Sequence, residues 1–265
     1  MRSPLNKRLF RELRGEFGKY LVIFILMTLT IGMVSGFLVA DGSMIQAYEE
    51  SFEKYNIENG HFRTEKKMNN AQIQDIEDLG IKLYENYYVE EALTNGSTMR
   101  IFKNRDEVNK VCLMKGKMPE KPGEIGIDRM YADNNDLSVG DEIESGGHTW
   151  KITGLVALSD YSALFSNNND SMFDSVKFGV SVVCPEEFDS YKADQLNYSY
   201  AWKYNTEPKN EKAEKDISED LMEDVAKKVT LEEFVPRYTN QAIIFTGDDM
   251  GGDRSMMIVL FISSL

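Results

Sequence analysis

Hydrophobic and polar positions fall into two regimes along this chain. In the first, Tyr20–Ala40 reads YLVIFILMTLTIGMVSGFLVA, 21 residues without a charge, 12 of them Leu, Ile, Val or Phe. Such a run is apolar on every face of a helix, which a half-buried soluble helix does not require. At 1.5 Å per residue it spans roughly 30 Å, the thickness of a bilayer core. The pattern therefore predicts a transmembrane helix. A cleaved leader has a shorter apolar stretch, and Leu38-Val39-Ala40 lacks the small-x-small pattern of a cleavage site.

The second regime, from Asp41 onward, is mixed. Met44 or Ile45, Tyr48, Phe52 and Tyr55 keep helical spacing past the bilayer edge, so the span is expected to continue as a stalk. Asn69 or Asn70 caps a helix carrying Ile73, Ile76 and Leu79, and Gly80 ends it. The run IKLYENYYVEEAL reads as one strand, and Asn95-Gly96 turns it into a hairpin with STMRIFKN. VCLM reads as a short strand, and EIGIDRMYADNNDL as a strand entering a short helix. VGDEIES and HTWKITGLVAL form a hairpin about Gly146-Gly147. FGVSVVC is a core strand that stops at Pro185. LNYSYAWKYN alternates as a half-buried strand does, and its Tyr198, Tyr200, Trp202 and Tyr204 read as a sheet face sooner than a ligand groove. NEKAEKDISEDLMEDVAKKV is a charged helix with Ile217, Leu221 and Val225 on one stripe. SNNNDS at 166–171 is an exposed loop. The pattern ends in a second apolar run, Met256–Leu265. It is too short to cross a bilayer and reads as the first half of a second span, cut by truncation.

The flanks of the first span orient it. Before it, Leu5, Leu9, Leu13 and Phe17 recur every four residues among Arg8, Arg11 and Arg14. A helix there lies in the headgroup layer, with Arg8, Arg11, Arg14 and Lys19 as interfacial anchors; a frayed basic leader is the plainer alternative. Basic residues stay in the cytoplasm, so the N-terminus is inside and residue 41 onward is extracytoplasmic. Within the span, Thr28, Gly32, Gly36 and Ala40 make a small-residue stripe that suits packing against another membrane helix.

Composition adds limits. A net charge of −14 excludes a nucleic-acid binder that works through a general basic surface. A hydrophobic content of 42% supports a real core. Cys112 and Cys184 are the only cysteines, and the sequence leaves open whether they form a disulfide or stay as thiols.

Within the second regime, Leu113–Ile143, LMKGKMPEKPGEIGIDRMYADNNDLSVGDEI, resembles the extracytoplasmic core domain of FtsX/MacB-type ABC transporter permeases. The residues that carry the likeness are Gly116, Pro119, Glu124, Ile127, Leu137, Val139, Gly140, Asp141 and Ile143, then Ile152, Gly154 and Leu155. The match departs where Asn-Asp precedes Leu137 in NNDLSVG. The resemblance implies a permease subunit that dimerises, with itself or with a second permease, and works with a separate cytoplasmic ABC ATPase. ATP hydrolysis would then drive movement of the extracytoplasmic domain, for export or mechanotransmission. The expected fold is α+β. Residues 1–19 form a cytoplasmic amphipathic helix, 20–40 the span with its stalk extension, 41–255 a mixed α/β extracytoplasmic domain, and 256–265 the start of a second span. The implied location is the cell membrane.

Catalytic motifs do not appear. There is no G-x-x-x-x-G-K-[ST], so the chain carries no P-loop ATPase of its own, and there is no G-x-S-x-G elbow. His61 and His148 stand alone. A zinc site would need them to converge with Cys112 and Cys184 without any ligand-spacing motif. DNNDLSVGDE lacks the order of a calcium loop. Asn95-Gly96-Ser97 has the form of a glycosylation sequon, but a turn explains it better. No cofactor, metal or enzymatic activity is expected. Asp248, Asp249 and Asp253 read as a solvated helix start capped by Thr246. A membrane-bound sensor of span–ectodomain–span topology is the alternative function.

Overall fold

The structure, a computed structural model, describes residues 14–145, 147–247, 252, 255 and 256. The chain divides into two compact units: Glu49–Gly247 form one, and residues up to Tyr48 belong to the other. Of the expected second apolar run, all but Met256 lies outside the described residues, as do Arg8, Arg11, Asp248, Asp249 and Asp253.

Helix α1 (Phe17–Lys54) has 38 residues and no break. Among the described residues it is the one helix long and apolar enough to cross a membrane. Leu21, Phe24, Leu26, Leu29 and Met33 are all exposed, so it is not a core helix of the folded unit. Three of its hydroxyls bond within the helix: Thr28, Thr30 and Ser43 each donate to the carbonyl four residues back. That arrangement suits a medium that offers no water. Gly32 and Gly36 have open space beside them.

The folded unit is mixed α/β and contains two sheets. Its strands and helices are β1 (Gly60–Thr64), α2 (Asn70–Glu77), β2 (Ile81–Glu85), β3 (Tyr88–Ala92), β4 (Thr98–Lys103), β5 (Val111–Gly116), β6 (Glu124–Asp128), α3 (Arg129–Asn134), β7 (Glu142–Ser145), β8 (His148–Leu158), β9 (Phe178–Val183), α4 (Pro185–Phe188), β10 (Tyr198–Tyr204), α5 (Glu211–Ala226) and β11 (Leu231–Pro236). A four-stranded sheet runs β11-β1-β10-β2, antiparallel throughout. A seven-stranded sheet runs β3-β4-β9-β6-β8-β5, with β7 on β8. In the larger sheet β4 pairs β9 in parallel, as β6 does β8.

Local chemistry explains most boundaries. Asn69 accepts from the Gln72 amide, and Gln72 answers with its side chain, a full capping box that starts α2. Gly96 has φ +79°, as the Asn95-Gly96 hairpin turn requires, and Ser97 binds the Asn95 carbonyl oxygen in that turn. Helices α2 and α5 pack on β2 and β11, while α3 packs on β6, β8 and β9.

Four expectations need correction. IKLYENYYVEEAL is two strands in different sheets, broken at Asn86-Tyr87, because the Asn86 amide donates to Ser199 and its side chain accepts from Arg105. Strand β10 is not half-buried: Ser199 and Ala201 are buried as well as Tyr200 and Trp202. The buried stripe of α5 is Ser218, Leu221 and Val225, and Ile217 faces solvent. Residues 241–247 are helical, with Asn240 accepting from the Ala242 amide, so Thr246 lies inside a helix and donates to the Ser162 carbonyl, while the helix start it is expected to cap, at Asp248 and Asp249, lies outside the described residues. Strands β1 and β11 have no counterpart in the sequence reading.

Candidate functional site

Strand β1 places His61 and Arg63 on the face opposite Phe62, by the alternation of a strand. The pairing of β1 with β10 and β11 sets Ser199 and Glu233 directly beside Arg63. From the larger sheet, the β3–β4 pairing brings Tyr88 and Glu90 onto one face with Phe102 and Arg100. Thr98 and Phe178, paired across β4 and β9, extend that face. Between the two faces lies a cleft of about 590 Å³, which Asp160, Tyr161, Phe165 and Lys177 also line.

The wall on the larger sheet is built around Arg100. Its Nε and Nη2 donate to Glu90, Nη1 to Tyr161 at 2.7 Å, and Nη2 also to the Ser166 carbonyl. The guanidinium lies over the rings of Tyr88 and Phe178, at 4.5 and 5.0 Å. Burial alone would lower its pKa, but Tyr161, Tyr88 and Glu90 outweigh burial and raise it. Burial pushes the Tyr88 hydroxyl up.

His61 and Asp160, which line the cleft, also belong to a buried charge network. Arg105 donates to both Asp160 oxygens, at 2.8 and 2.7 Å. Asn109 donates to Glu58 at 2.6 Å and accepts from the Glu58 amide. His61 Nδ1 meets the other Glu58 oxygen at 2.6 Å. Burial would raise Glu58, but His61, Asn109 and Arg105 hold it below its usual value. Burial would lower His61, yet Glu58 dominates and raises it. Each group therefore favours the charged form of the other.

The same network holds the exit of α1. Asn109 and Lys110 amides donate to the Asn56 and Tyr55 carbonyls, and the Asn56 side chain donates to Glu107. The Asn59 amide donates to Trp202, and Lys203 Nζ to the Ile57 carbonyl. Residues 55–59 are thus tied to the smaller sheet through β10 and, through the 104–110 loop, to β4 and β5 of the larger one.

The residues that carry the family resemblance lie elsewhere and close turns. Gly116 has φ +81°, and a Cβ there would collide with the Thr153 carbonyl. Pro119 is buried. Glu124 accepts from the Glu120 amide at 2.9 Å and from Lys117 at 3.1 Å, and these contacts lower its pKa. Asp141 accepts from the Ser138 amide, and the Gly140 amide donates to Ile152. Both turns therefore dock on Ile152–Gly154 of β8. Of the interfacial anchors, Arg14 and Lys19 are described, and Lys19 pairs with Glu16 at 3.1 Å.

Other candidates resolve simply. Cys112 and Cys184 are free thiols, and Tyr55 donates to Cys112 Sγ at 3.3 Å. His148 stacks on Trp150 at the β7–β8 turn. Among the described residues no group of metal-ligating side chains converges. Tyr200 and Trp202 stack on Phe62 and Phe234, which makes their face core and not groove. The cleft residues were missed: a His-x-Arg pair on a five-residue strand is the one local signal they leave.

No protein-family model matches the chain, and no curated protein matches it. Among solved structures it is similar to the periplasmic region of MacB from Actinobacillus actinomycetemcomitans, with 12% identity and a TM-score of 0.35 over 64% of this chain and 85% of that one. It is also similar to the extracellular domain of the noncanonic ABC-type transporter YknZ from Gram-positive bacteria, with 10% identity and a TM-score of 0.34 over 63% of this chain and 92% of that one.

Proposed function

We propose that the chain provides the first span and the extracytoplasmic domain of an ABC transporter permease subunit of FtsX/MacB type. Helix α1 crosses the cell membrane with its N-terminus in the cytoplasm, and the folded unit lies outside. A separate cytoplasmic ABC ATPase supplies the energy, and a second permease, identical or different, completes the dimer. The chain itself performs no catalysis. Thr28, Gly32, Gly36 and Ala40 are the stripe offered to a neighbouring membrane helix.

The observation that carries this reading is the unbroken helix whose exit is clamped to both sheets. A helix is a stiff rod, and four backbone hydrogen bonds to residues 55–59 come from, or go to, segments of the folded unit. In this reading, residues 55–59 are the segment through which movement of α1 would reach the sheets. The turns at Gly116 and Asp141, which bear the family resemblance, give second support.

The test is purification of the tagged chain from membranes of cells that also express the ATP-binding cassette protein encoded beside it. The expected result is a membrane-bound complex whose ATPase activity depends on this chain. Recovery of the chain in the soluble fraction, or an ATPase indifferent to it, overturns the proposal. A sensor with the same topology is the second reading, and the cleft is the observation that favours it. A kinase or methyl-accepting partner in place of the ATPase would select it.

A further inference from the structure

We propose that the cleft between the two sheets binds a small molecule with a carboxylate at one end and an aromatic or apolar body at the other. The proposal is independent of the permease reading, because it rests on the walls of the cleft alone.

The smaller sheet supplies spare donors. His61 uses Nδ1 on Glu58, and its Nε2 has no partner among the described residues. Arg63 pairs with Glu232 at 2.8 Å, but reaches Glu233 only at 3.6 Å, and its Nε is buried without a hydrogen bond. Ser199, 4% exposed, has no side-chain partner among the described residues. Of the three, Arg63 Nε is the buried donor without a hydrogen bond, and leaving it unmade is costly, so an acceptor entering here gains what the folded chain leaves unused.

The acids of the cleft offer much less. Asp160 is held by Arg105 and Asn109, and Glu90 by Arg100. Asp174 accepts from the Val176 and Lys177 amides. Beside Arg63, Glu232 holds Nη1 at 2.8 Å, and Glu233, which lines the cleft, stands 3.6 Å from Nε; that long contact is the one a ligand carboxylate would replace or share. The opposite wall is lined by Tyr88, Phe102, Phe165 and Phe178, with the Arg100 guanidinium over the Tyr88 and Phe178 rings, a surface that suits the flat face of an aromatic body. An anion with no apolar part would leave that wall wet, and an apolar ligand with no anion would leave the donors unpaired. The cleft volume of about 590 Å³ is ordinary for a small-molecule site. A free N-acyl amino acid and the C-terminus of a short peptide share this chemistry.

The test is calorimetry on the full chain in detergent at pH 6, with hippurate, its neutral amide hippuramide, and acetyl-Ala-Ala-Phe with a free or an amidated C-terminus. The expected result is that at least one free acid binds at least about tenfold tighter than its amide, as charge-assisted hydrogen bonds imply. Tight binding confined to the longer acid marks a peptide end, and to hippurate a free metabolite. Arg63→Gln should weaken the acid about tenfold and leave the amide unchanged. A second readout needs no variant. The chain has two histidines, so imidazole NMR signals can be assigned, and the acid must shift His61 and leave His148 in place. No binding of any acid at about 10 mM, equal binding of acid and amide, or a shift confined to His148 overturns the proposal.

Discussion

The two faces of the four-stranded sheet are made from the same strands and could hardly differ more. One carries Phe62, Tyr200, Trp202 and Phe234, with Trp202 and Phe234 stacked at 4.7 Å and Phe62 and Tyr200 at 5.7 Å. The other carries His61, Arg63, Ser199 and Glu233. A slip of one residue would exchange the faces, so the aromatic side fixes the register for both. The polar side inherits its geometry from a core it does not belong to. It is therefore free to hold unsatisfied donors without loss of the fold.

The comparison breaks most severely from the aromatic side. Trp202 is fully buried, and Trp202→Ala should destabilise the folded unit by about 3–5 kcal/mol. Urea unfolding followed by far-UV circular dichroism checks this. Gly60→Ala acts on the same spot, because a Cβ there runs into the Trp202 ring and the Val235 carbonyl oxygen at 2.7 Å.

A loss of comparable size is expected where the cleft meets the core. The side chains of Arg105 and Asp160 are 7% and 5% exposed. Arg105→Ala leaves a buried carboxylate unpaired and should cost about 3–5 kcal/mol. The double variant with Asp160→Ala should recover part of that loss, which a urea double-mutant cycle would measure. An additive result would show that the pair is not coupled.

A smaller effect follows from pH. His61 is raised above 6.5, so its contribution is whole below that value and lost as pH rises through the folded pKa. Glu58 is lowered below 4.5, so its contribution is whole above that value and lost as pH falls through its folded pKa. Asp160 and Glu233 face His61 and add to the same sign. The pair stabilises most between about 4.5 and 6.5. Melting temperature should fall on the alkaline side of that window in the wild type, and His61→Gln should flatten the alkaline slope.

Much of the fold is legible in the sequence, for reasons that are local. The long apolar helix shows because apolar residues occupy every face of Tyr20–Ala40. The Asn69 cap and the Asn95-Gly96 turn show because each needs a particular residue at a particular place. The break at Asn86-Tyr87 does not show, since no glycine or proline marks it. Asn86 is instead held by Ser199 and Arg105, both distant in the chain. The cleft is illegible for the same reason. It draws on residues from His61 to Glu233, each an ordinary polar position in an alternating strand or loop. The family phrase at Gly116–Asp141 is conspicuous because turns tolerate few residues, yet it holds the scaffold and does not line the cleft between the sheets.

The sharpest test is the one with the smallest effect on stability. Arg63 is 28% exposed and its partner Glu232 39%, so their ion pair at 2.8 Å sits near solvent. Exposed pairs contribute about 0–1 kcal/mol, and Arg63→Gln should move the urea midpoint by no more than that. Trp202→Ala, one strand away, should be several times more damaging. If Arg63→Gln instead unfolds the domain, the polar face is part of the core and the distinction between the two faces fails. If the domain stands and only carboxylate affinity drops, one alternating strand serves two ends, with the even side chains fastening the fold and the odd ones meeting the ligand.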